Sequence, residues 1–469
     1  MRCAFILLMA ALCVRADEIC LTSEEDPYLL FGTKTAYIFS NRGIPNAKAH
    51  EVPGCQPVAF WLLSRHGSHN PEANETAELQ QLVDLKNNIV TNYKNGNFRN
   101  TNHRICTADF NLLERWNWKQ NSSTAGDLTS DGYVTTQQLA QAWKQRFPGL
   151  LTPNTYNYLF KFVEEPRSSN SFRAFSESLF GGQNEGFDAP KENDEKLLRP
   201  LKYCDAWKNQ VDENNKTLEQ KNIFESKQEY KEMISNISLR LGFNYDLQKN
   251  TVLSIYQMCR YNKAWDVTQI SPWCAAFTRE DLKRLEYAED LETYYKYGYG
   301  STVSEKIGCS IIKDMVDFFK NHAERELRQQ PKAMIQLTDY PMILMALTKL
   351  GSRQDSAPIT GDNYHTNTAQ ARKWSSSNMV PFNANIAAVL YKCTTNGNFQ
   401  IKEQYQVLFL ENEKPMNIEG CWVGLCDWSA VKSKFDPDKC DLQFCNAAAR
   451  STGFVSLILT VILFCINRN

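Results

Sequence analysis

"PVAFWLLSRHGSHNP", residues 57–71, carries the reading of the fold. The run from Pro57 to Ser64 is apolar, continuous and of strand length. A strand without polar alternation suits the centre of a sheet covered on both faces. It ends in Arg65-His66-Gly67. Ligands in α/β sheets gather at the C-terminal ends of strands, so His66 stands where such a sheet presents a reactive group.

Around this strand the chain reads as α/β. "LTSDGYVTTQQLAQAWKQRFPGLL" (128–151) gives a helix ending near Pro148, with Leu128, Thr129 and Gly132 at its start. "NYLFKFVEEPRSSNSFRAFSESLFGG" (157–182) gives a strand, a turn bearing Arg167 and a helix from about Ser171. "KAMIQL", "TDYP" and "MILMALTKLGS" follow as strand, turn and a helix closed by Gly351. "NIAAVLYKC" and "QYQVLFL" supply two more strands. "EKIGCSIIKDMVDFFKNHAERELRQQP" (305–331) reads as one long amphipathic helix, apolar at Ile312, Met315, Phe319 and Leu327. Residues 181–300 are charged, aromatic, helical in period and poor in β-runs.

The expected architecture is therefore a mixed-sheet α/β core from 17–180 and 301–445, with 181–300 inserted as a helical cap. A mature chain of about 430 residues exceeds one ordinary core, which agrees with two subdomains.

The two ends set the compartment. "MRCAFILLMAALCVRA" (1–16) has a basic residue, an apolar run and a small-residue end, as a secretory signal peptide does. Residues 446–469 carry small residues, "CNAAARST" from Cys445, then the apolar run "GFVSLILTVILFCI". The run is shorter than the ~20 residues of a spanning helix. The arrangement resembles a GPI-attachment signal with Asn446 as attachment residue; a short C-terminal membrane helix is the alternative. Either places the protein in the secretory pathway, at the cell surface through a C-terminal membrane anchor; secretion or retention in the endoplasmic reticulum lumen is the alternative.

Of fifteen cysteines, Cys3, Cys13 and Cys465 lie in these end segments. The others are Cys20, Cys55, Cys106, Cys204, Cys259, Cys274, Cys309, Cys393, Cys421, Cys426, Cys440 and Cys445. An even set in an exported chain reads as disulfides of unreadable connectivity. The C-terminal four have the wrong spacing for a zinc ribbon. Sequons at Asn74, Asn121, Asn215 and Asn236 fit an exported surface. Net charge is −1, so no global field recruits nucleic acid.

The stretch Arg65-His66-Gly67-x-His69-x-Pro71 resembles the R-H-G-x-R-x-P signature of histidine phosphatases, with His69 in place of the second arginine. Further matches are "GTKTAY" (32–37), "LTSDG", "PRSSNSFRAFSESLFG", "SPWCAAFTREDLKRLEYAEDLETYYKYGYG" (271–300), "ARKWSSSNMVPFNANIAAVLYKC" (371–393) and "ENEKP" (411–415). Together they resemble the multiple inositol polyphosphate phosphatases, a secretory branch of the histidine acid phosphatases. The resemblance implies an α/β core with a helical cap, a phosphohistidine intermediate, no metal or other cofactor, and phytate-like or bisphosphoglycerate-like substrates.

The residue types suit that chemistry. Imidazole is a neutral nucleophile, and a covalent intermediate splits one hard displacement in two. Arginine forks neutralise phosphate oxygens bidentately. The leaving alkoxide needs a proton, worth about 10²–10⁴-fold. By resemblance His66 is the nucleophile, while Arg65 and Arg167, with Ser171 and Phe175 following in pattern, hold phosphate. His69 takes the remaining phosphate contact; it can turn cationic at acidic pH but offers no planar fork. Lys296 and Lys373 are candidates for outer phosphates, or else solvated surface lysines.

The family also carries a histidine and an acid in H-A-E after a strand. "HAE" at His322-Ala323-Glu324 lies inside the expected long helix, where it reads as a pair of helix-face charges. Strand context instead aligns the motif with Asp339, Tyr340 and Pro341, so both catalytic groups are replaced. A one-residue slip makes Asp339 a candidate general acid. Two readings stay open: a phosphomonoesterase acting through His66, or a catalytically impaired pseudophosphatase that binds an anionic ligand or serves as a surface interaction protein.

Overall fold

The computed structural model describes residues 20–446, except 24–25, 41–49, 97–103, 120–121, 183–190, 326–329 and 395–402. The signal segment, Asn121, Leu327 and the tail beyond Asn446 lie outside the described residues.

Eight strands form one mixed sheet: β1 Cys55–Arg65, β2 Tyr158–Phe162, β3 Lys191–Asn193, β4 Ala333–Thr338, β5 Asn385–Cys393, β6 Tyr405–Glu411, β7 Lys414–Pro415 and β8 Leu425–Asp427. Their order is β3-β2-β4-β1-β5-β6-β7, with β8 on β6. The half from β3 to β1 is parallel and the half from β1 onward antiparallel. β1 is central, as its unbroken apolar run requires. Phe60 and Leu62 pack on one face among Trp143, Phe172 and Leu179. Trp61 and Leu63 pack on the other with Met315, Phe319, Ile343 and Leu347. Helices Ser130–Arg146 and Pro166–Phe180 cover the first face; Cys309–Lys320 and Tyr340–Leu350 cover the second.

The register brings two strand ends together. Arg65 pairs with Thr338 across parallel β1 and β4, and the His66 amide donates to the Thr338 carbonyl at 3.2 Å. His66 and Asp339, each one residue past its strand, are thereby neighbours. Gly67 and Gly132 let the loop after β1 rest on the start of helix Ser130–Arg146. A Cβ on Gly67 would lie 2.5 Å from the Gly132 carbonyl oxygen, and one on Gly132 would lie 2.2 Å from that of Ser68.

Three sequence expectations are corrected. The long helix is broken: Thr302–Ile307 ends at Gly308, Cys309–Lys320 follows, and Asn321–Arg325 forms a wider turn. Gly308 allows a close crossing, since a Cβ there would meet the Met345 carbonyl at 2.3 Å. Helix Pro166–Phe180 starts at a proline in its first turn, so Arg167 is helical rather than in the preceding turn. Within 181–300 lies the edge strand β3, beside helices Gln228–Arg240, Lys249–Trp265 and Arg279–Tyr297. Residues 73–96 and 104–118 also pack on this helical layer: Trp116 stacks edge-on at 5.2 Å from Trp273, and Tyr93 donates to the Arg240 carbonyl at 2.5 Å.

Twelve cysteines form six pairs: Cys20–Cys106, Cys55–Cys393, Cys204–Cys445, Cys259–Cys274, Cys309–Cys440 and Cys421–Cys426. The C-terminal cysteines are thus disulfide partners. Asn74, Asn215, Asn236 and Asn446 are exposed. Among the described residues no helix is long and apolar enough to cross a membrane.

Candidate active site

A cleft of about 440 Å³ lies between the C-terminal end of the sheet and the helical layer. Arg65, His66, His69, Arg167 and Asp339 all line it, so five sequence-derived candidates converge.

Nδ1 of His66 lies 2.8 Å from the Gly67 carbonyl. A carbonyl only accepts, so Nδ1 carries the proton and Nε2 of the neutral ring presents its lone pair to the cleft. Burial is the main force pulling His66 below its usual value, only partly offset by Asp339. The ring is therefore neutral near pH 7, as a nucleophile requires.

Arg65 is buried beside it. Its guanidinium donates to the carbonyls of Thr33 and, at 2.8 Å, Val380. The rings of Phe382 and Tyr340 stand 4.6 and 5.2 Å away. Burial and the nearby Arg167 bring it down to about 10, still cationic at neutral pH. Arg167 reaches Glu72 at 2.5 Å, Glu165 at 3.1 Å and Asp339 at 3.5 Å. "VPFNAN" braces the loop after β1: the Asn383 amide donates to the His66 carbonyl at 3.1 Å, and the Arg65 amide to that of Ala384 at 2.7 Å.

His69 does not become the cation the sequence suggested. It is buried, its Nδ1 donates to the Asn70 carbonyl at 2.7 Å, and its ring lies 5.0 Å from that of His66. Burial, His66 and the two arginines push it well below the usual histidine range. It lines the phosphate position as a neutral group.

Asp339 does not fit the role of general acid. One oxygen is 3.2 Å from Nε2 of His66 and the other 2.6 Å from Nε of Arg199. Burial pushes its carboxyl up, but His66, Arg199 and Arg167 outweigh this and hold it well below the usual carboxylate range. The arginines remain charged at any working pH, so Asp339 stays ionised and has no proton to give.

Neither Lys296 nor Lys373 lines the cleft, although Lys296 pairs with Glu292, which does. Lys296 is tied to Glu292 at 3.3 Å and Asp212 at 3.6 Å. Lys373 is exposed, with Nζ on the Gln354 carbonyl at 3.0 Å. Its flanking residues are the ones turned inward: Arg372 pairs with buried Asp290 at 2.5 Å and Glu286 at 3.2 Å, while Trp374 packs on Gly298. His322 bonds Pro331 and Gln330, and Glu324 bonds Lys432. Both are remote from the cleft, so "HAE" is a coincidence of spelling; nor do the two form a charge pair with each other.

The cations that do line the cleft are Lys34, Lys221 and Arg260. Lys34 sits inside "GTKTAY", a stretch that marked the resemblance, so a signal existed. Glycine at 32 is explained by the same corner: φ is +55°, and a Cβ would meet the Glu289 carboxylate at 2.4 Å. Lys221 and Arg260 lie on helical segments with no local motif.

The sequence profile of the histidine phosphatase superfamily (branch 2) matches residues 60–406. The chain belongs to this superfamily. It is 32% identical, over 98% of both chains, to the multiple inositol polyphosphate phosphatase 1 of Drosophila melanogaster. It is 28% identical to the human protein of that name, over 84% of this chain and 83% of the relative. Its fold is similar to the phytase from D. castellii, with a TM-score of 0.69 and 16% identity over 88% of this chain and 85% of that one. It is also similar to the Bifidobacterium longum multiple inositol polyphosphate phosphatase in complex with inositol hexasulfate. There the TM-score is 0.65 and the identity 13%, covering 88% of this chain and 99% of that one. In this member of the superfamily Arg65, His66 and Asp339 meet at one cleft, with Pro341 also in its lining.

Proposed function

We propose that this protein is an exported phosphomonoesterase that hydrolyses inositol polyphosphates or similar phosphomonoesters through a phosphohistidine at His66. The observation that carries the reading is the fixed tautomer of His66: Nδ1 donates to Gly67, and Nε2 faces a cleft flanked by Arg65 and Arg167. The relatives' names supply the substrate class. Phosphate oxygens bound by Arg65 and Arg167 bring phosphorus in line with Nε2. The P–N bond then forms as the P–O bond to the leaving group breaks, and water cleaves the phosphohistidine. Without a proton donor at 341 the leaving alkoxide departs slowly. Six disulfides and exposed asparagines of three sequons support export, and the C-terminal segment supports anchorage at the cell surface.

One observation favours a second reading, an anion-binding protein without turnover. The Asp339 carboxylate sits against Nε2, on the path of an incoming phosphate dianion. Phosphate release from inositol phosphates and a panel of phosphomonoesters between pH 4 and 8, beside His66→Ala, separates the two. Release abolished by His66→Ala supports the enzyme. Binding of inorganic phosphate with no His66-dependent release on any substrate supports the binder.

A further inference from the structure

The cleft is polar and rich in charge, yet its charges cancel. Five cations line it, Lys34, Arg65, Arg167, Lys221 and Arg260, and five carboxylates, Glu75, Glu225, Glu289, Glu292 and Asp339. They interleave as pairs. Lys34 faces Glu75 at 3.7 Å, Arg260 faces Glu289 at 2.6 Å, and Lys221 faces Glu292 at 2.6 Å and Glu225 at 4.0 Å.

Glu75, Glu289, Glu292 and Asp339 remain ionised. Burial pushes each up, but Lys34 holds Glu75 below its usual value, and Lys221 does so for Glu292. Arg260 and Lys34 bring Glu289 down to about 2. Of the five cations, Arg65 alone has no carboxylate partner among the described residues; it donates to the carbonyls of Thr33 and Val380 and stands beside His66. One phosphate therefore finds Arg65 and a share of Arg167, while every outer position offers a cation with its anion already attached.

We infer that the cleft selects a lightly phosphorylated polyol, one reacting phosphate on a hydroxyl-rich remainder, over a densely phosphorylated one. A hydroxyl accepts from the cation and donates to the carboxylate of the same pair, so Lys34–Glu75 and Lys221–Glu292 suit hydroxyls. A phosphate dianion at those positions must displace the carboxylate or lie against it. The inference rests on the phosphomonoester reading and narrows its substrate class.

Calorimetric binding of myo-inositol monophosphate and hexakisphosphate to the purified protein tests it. The expected result is tighter binding of the monophosphate than of the hexakisphosphate, whereas unpaired outer cations would favour the hexakisphosphate by roughly tenfold or more per phosphate. Glu75→Gln should then tighten the hexakisphosphate about tenfold and shift the ratio of the two affinities in its favour. Hexakisphosphate binding as tightly as the monophosphate, or more tightly, overturns the inference and leaves the phosphomonoester reading intact. An unchanged ratio in a folded Glu75→Gln protein also overturns it. Failure of both ligands to bind removes the phosphomonoester reading itself, and the inference with it.

Discussion

Asp339 bridges His66 and Arg199, with Oδ1 3.2 Å from Nε2 of His66 and Oδ2 2.6 Å from Nε of Arg199. Arg199 is in turn bonded to Glu165, so the carboxylate is held rather than free. A neutral Nε2 and a carboxylate both present lone pairs, and the contact is favourable only while a proton lies between them. The state that can attack phosphorus is thus the one that gains least from Asp339.

Replacing that carboxylate should strengthen phosphate binding. Asp339→Asn removes one negative charge beside His66 while keeping shape and adding an N–H donor. An increase of roughly tenfold or more in affinity for inorganic phosphate is expected, about 1.4 kcal/mol. Asp339→His should do the same and raise His66-dependent release from an aryl phosphate. Titration with phosphate and initial rates check both; unchanged affinity in the Asn variant would show that Asp339 does not oppose the anion.

Acid should destabilise the fold through its buried histidines. The folded-state values of His66 and His69 are both depressed below 6.5, foremost by burial. The unfolded chain therefore binds more protons, and stability rises with pH. The contribution is complete above about 6.5 and is lost as pH falls from there through the folded values. Thermal midpoints measured from pH 7.5 to 4.5 should fall, and His69→Gln should flatten part of the slope. An unaltered slope in that variant would place the acid sensitivity elsewhere.

What the sequence disclosed follows from how local each signal is. The unbroken run in β1 fixed a central strand, and strand context rather than spelling moved the second motif from His322 to Asp339. Register then did what spacing could not, setting His66 beside Asp339 across 273 residues of chain. Cleft cations were harder. Lys373 lies in "ARKW", whose inward-facing members are Arg372 and Trp374, and Lys296 is paired with Glu292 and Asp212. Lys221 and Arg260 reach the cleft from cap helices that only tertiary packing aims there. The same packing decides that His69 is neutral, a state its sequence neighbours do not reveal.

Arg372 and Lys373 should therefore differ sharply. Arg372→Ala leaves Asp290 and Glu286 buried without their cation, a loss of about 3–5 kcal/mol. Asp290, already raised to about 7 foremost by burial, would be driven further toward its neutral form. Lys373→Ala should change stability by less than about 0.5 kcal/mol and leave phosphate affinity unaltered. Denaturant unfolding of both variants gives the comparison; equal effects would contradict the inward-facing role of Arg372.

The missing proton donor predicts a strong dependence on the leaving group. An alkoxide from an inositol phosphate needs a proton as it departs, and a positioned acid supplies about 10²–10⁴-fold. A nitrophenolate leaves without one. If His66 attacks unaided, kcat/KM for an aryl phosphate should exceed that for an inositol phosphate by roughly that factor. Both substrates pass through the same phosphohistidine, so its hydrolysis proceeds at one rate whichever substrate formed it. Acidification should not rescue the inositol substrate, because Asp339 is held ionised by Arg199 and Arg167. Placing a glutamate at 341, by Pro341→Glu, should narrow the gap by raising the inositol rate and sparing the aryl rate. Comparable kcat/KM for the two substrates in the unaltered protein would mean that another group delivers the proton, and Tyr340, beside Asp339 at the cleft wall, would be the first side chain to replace.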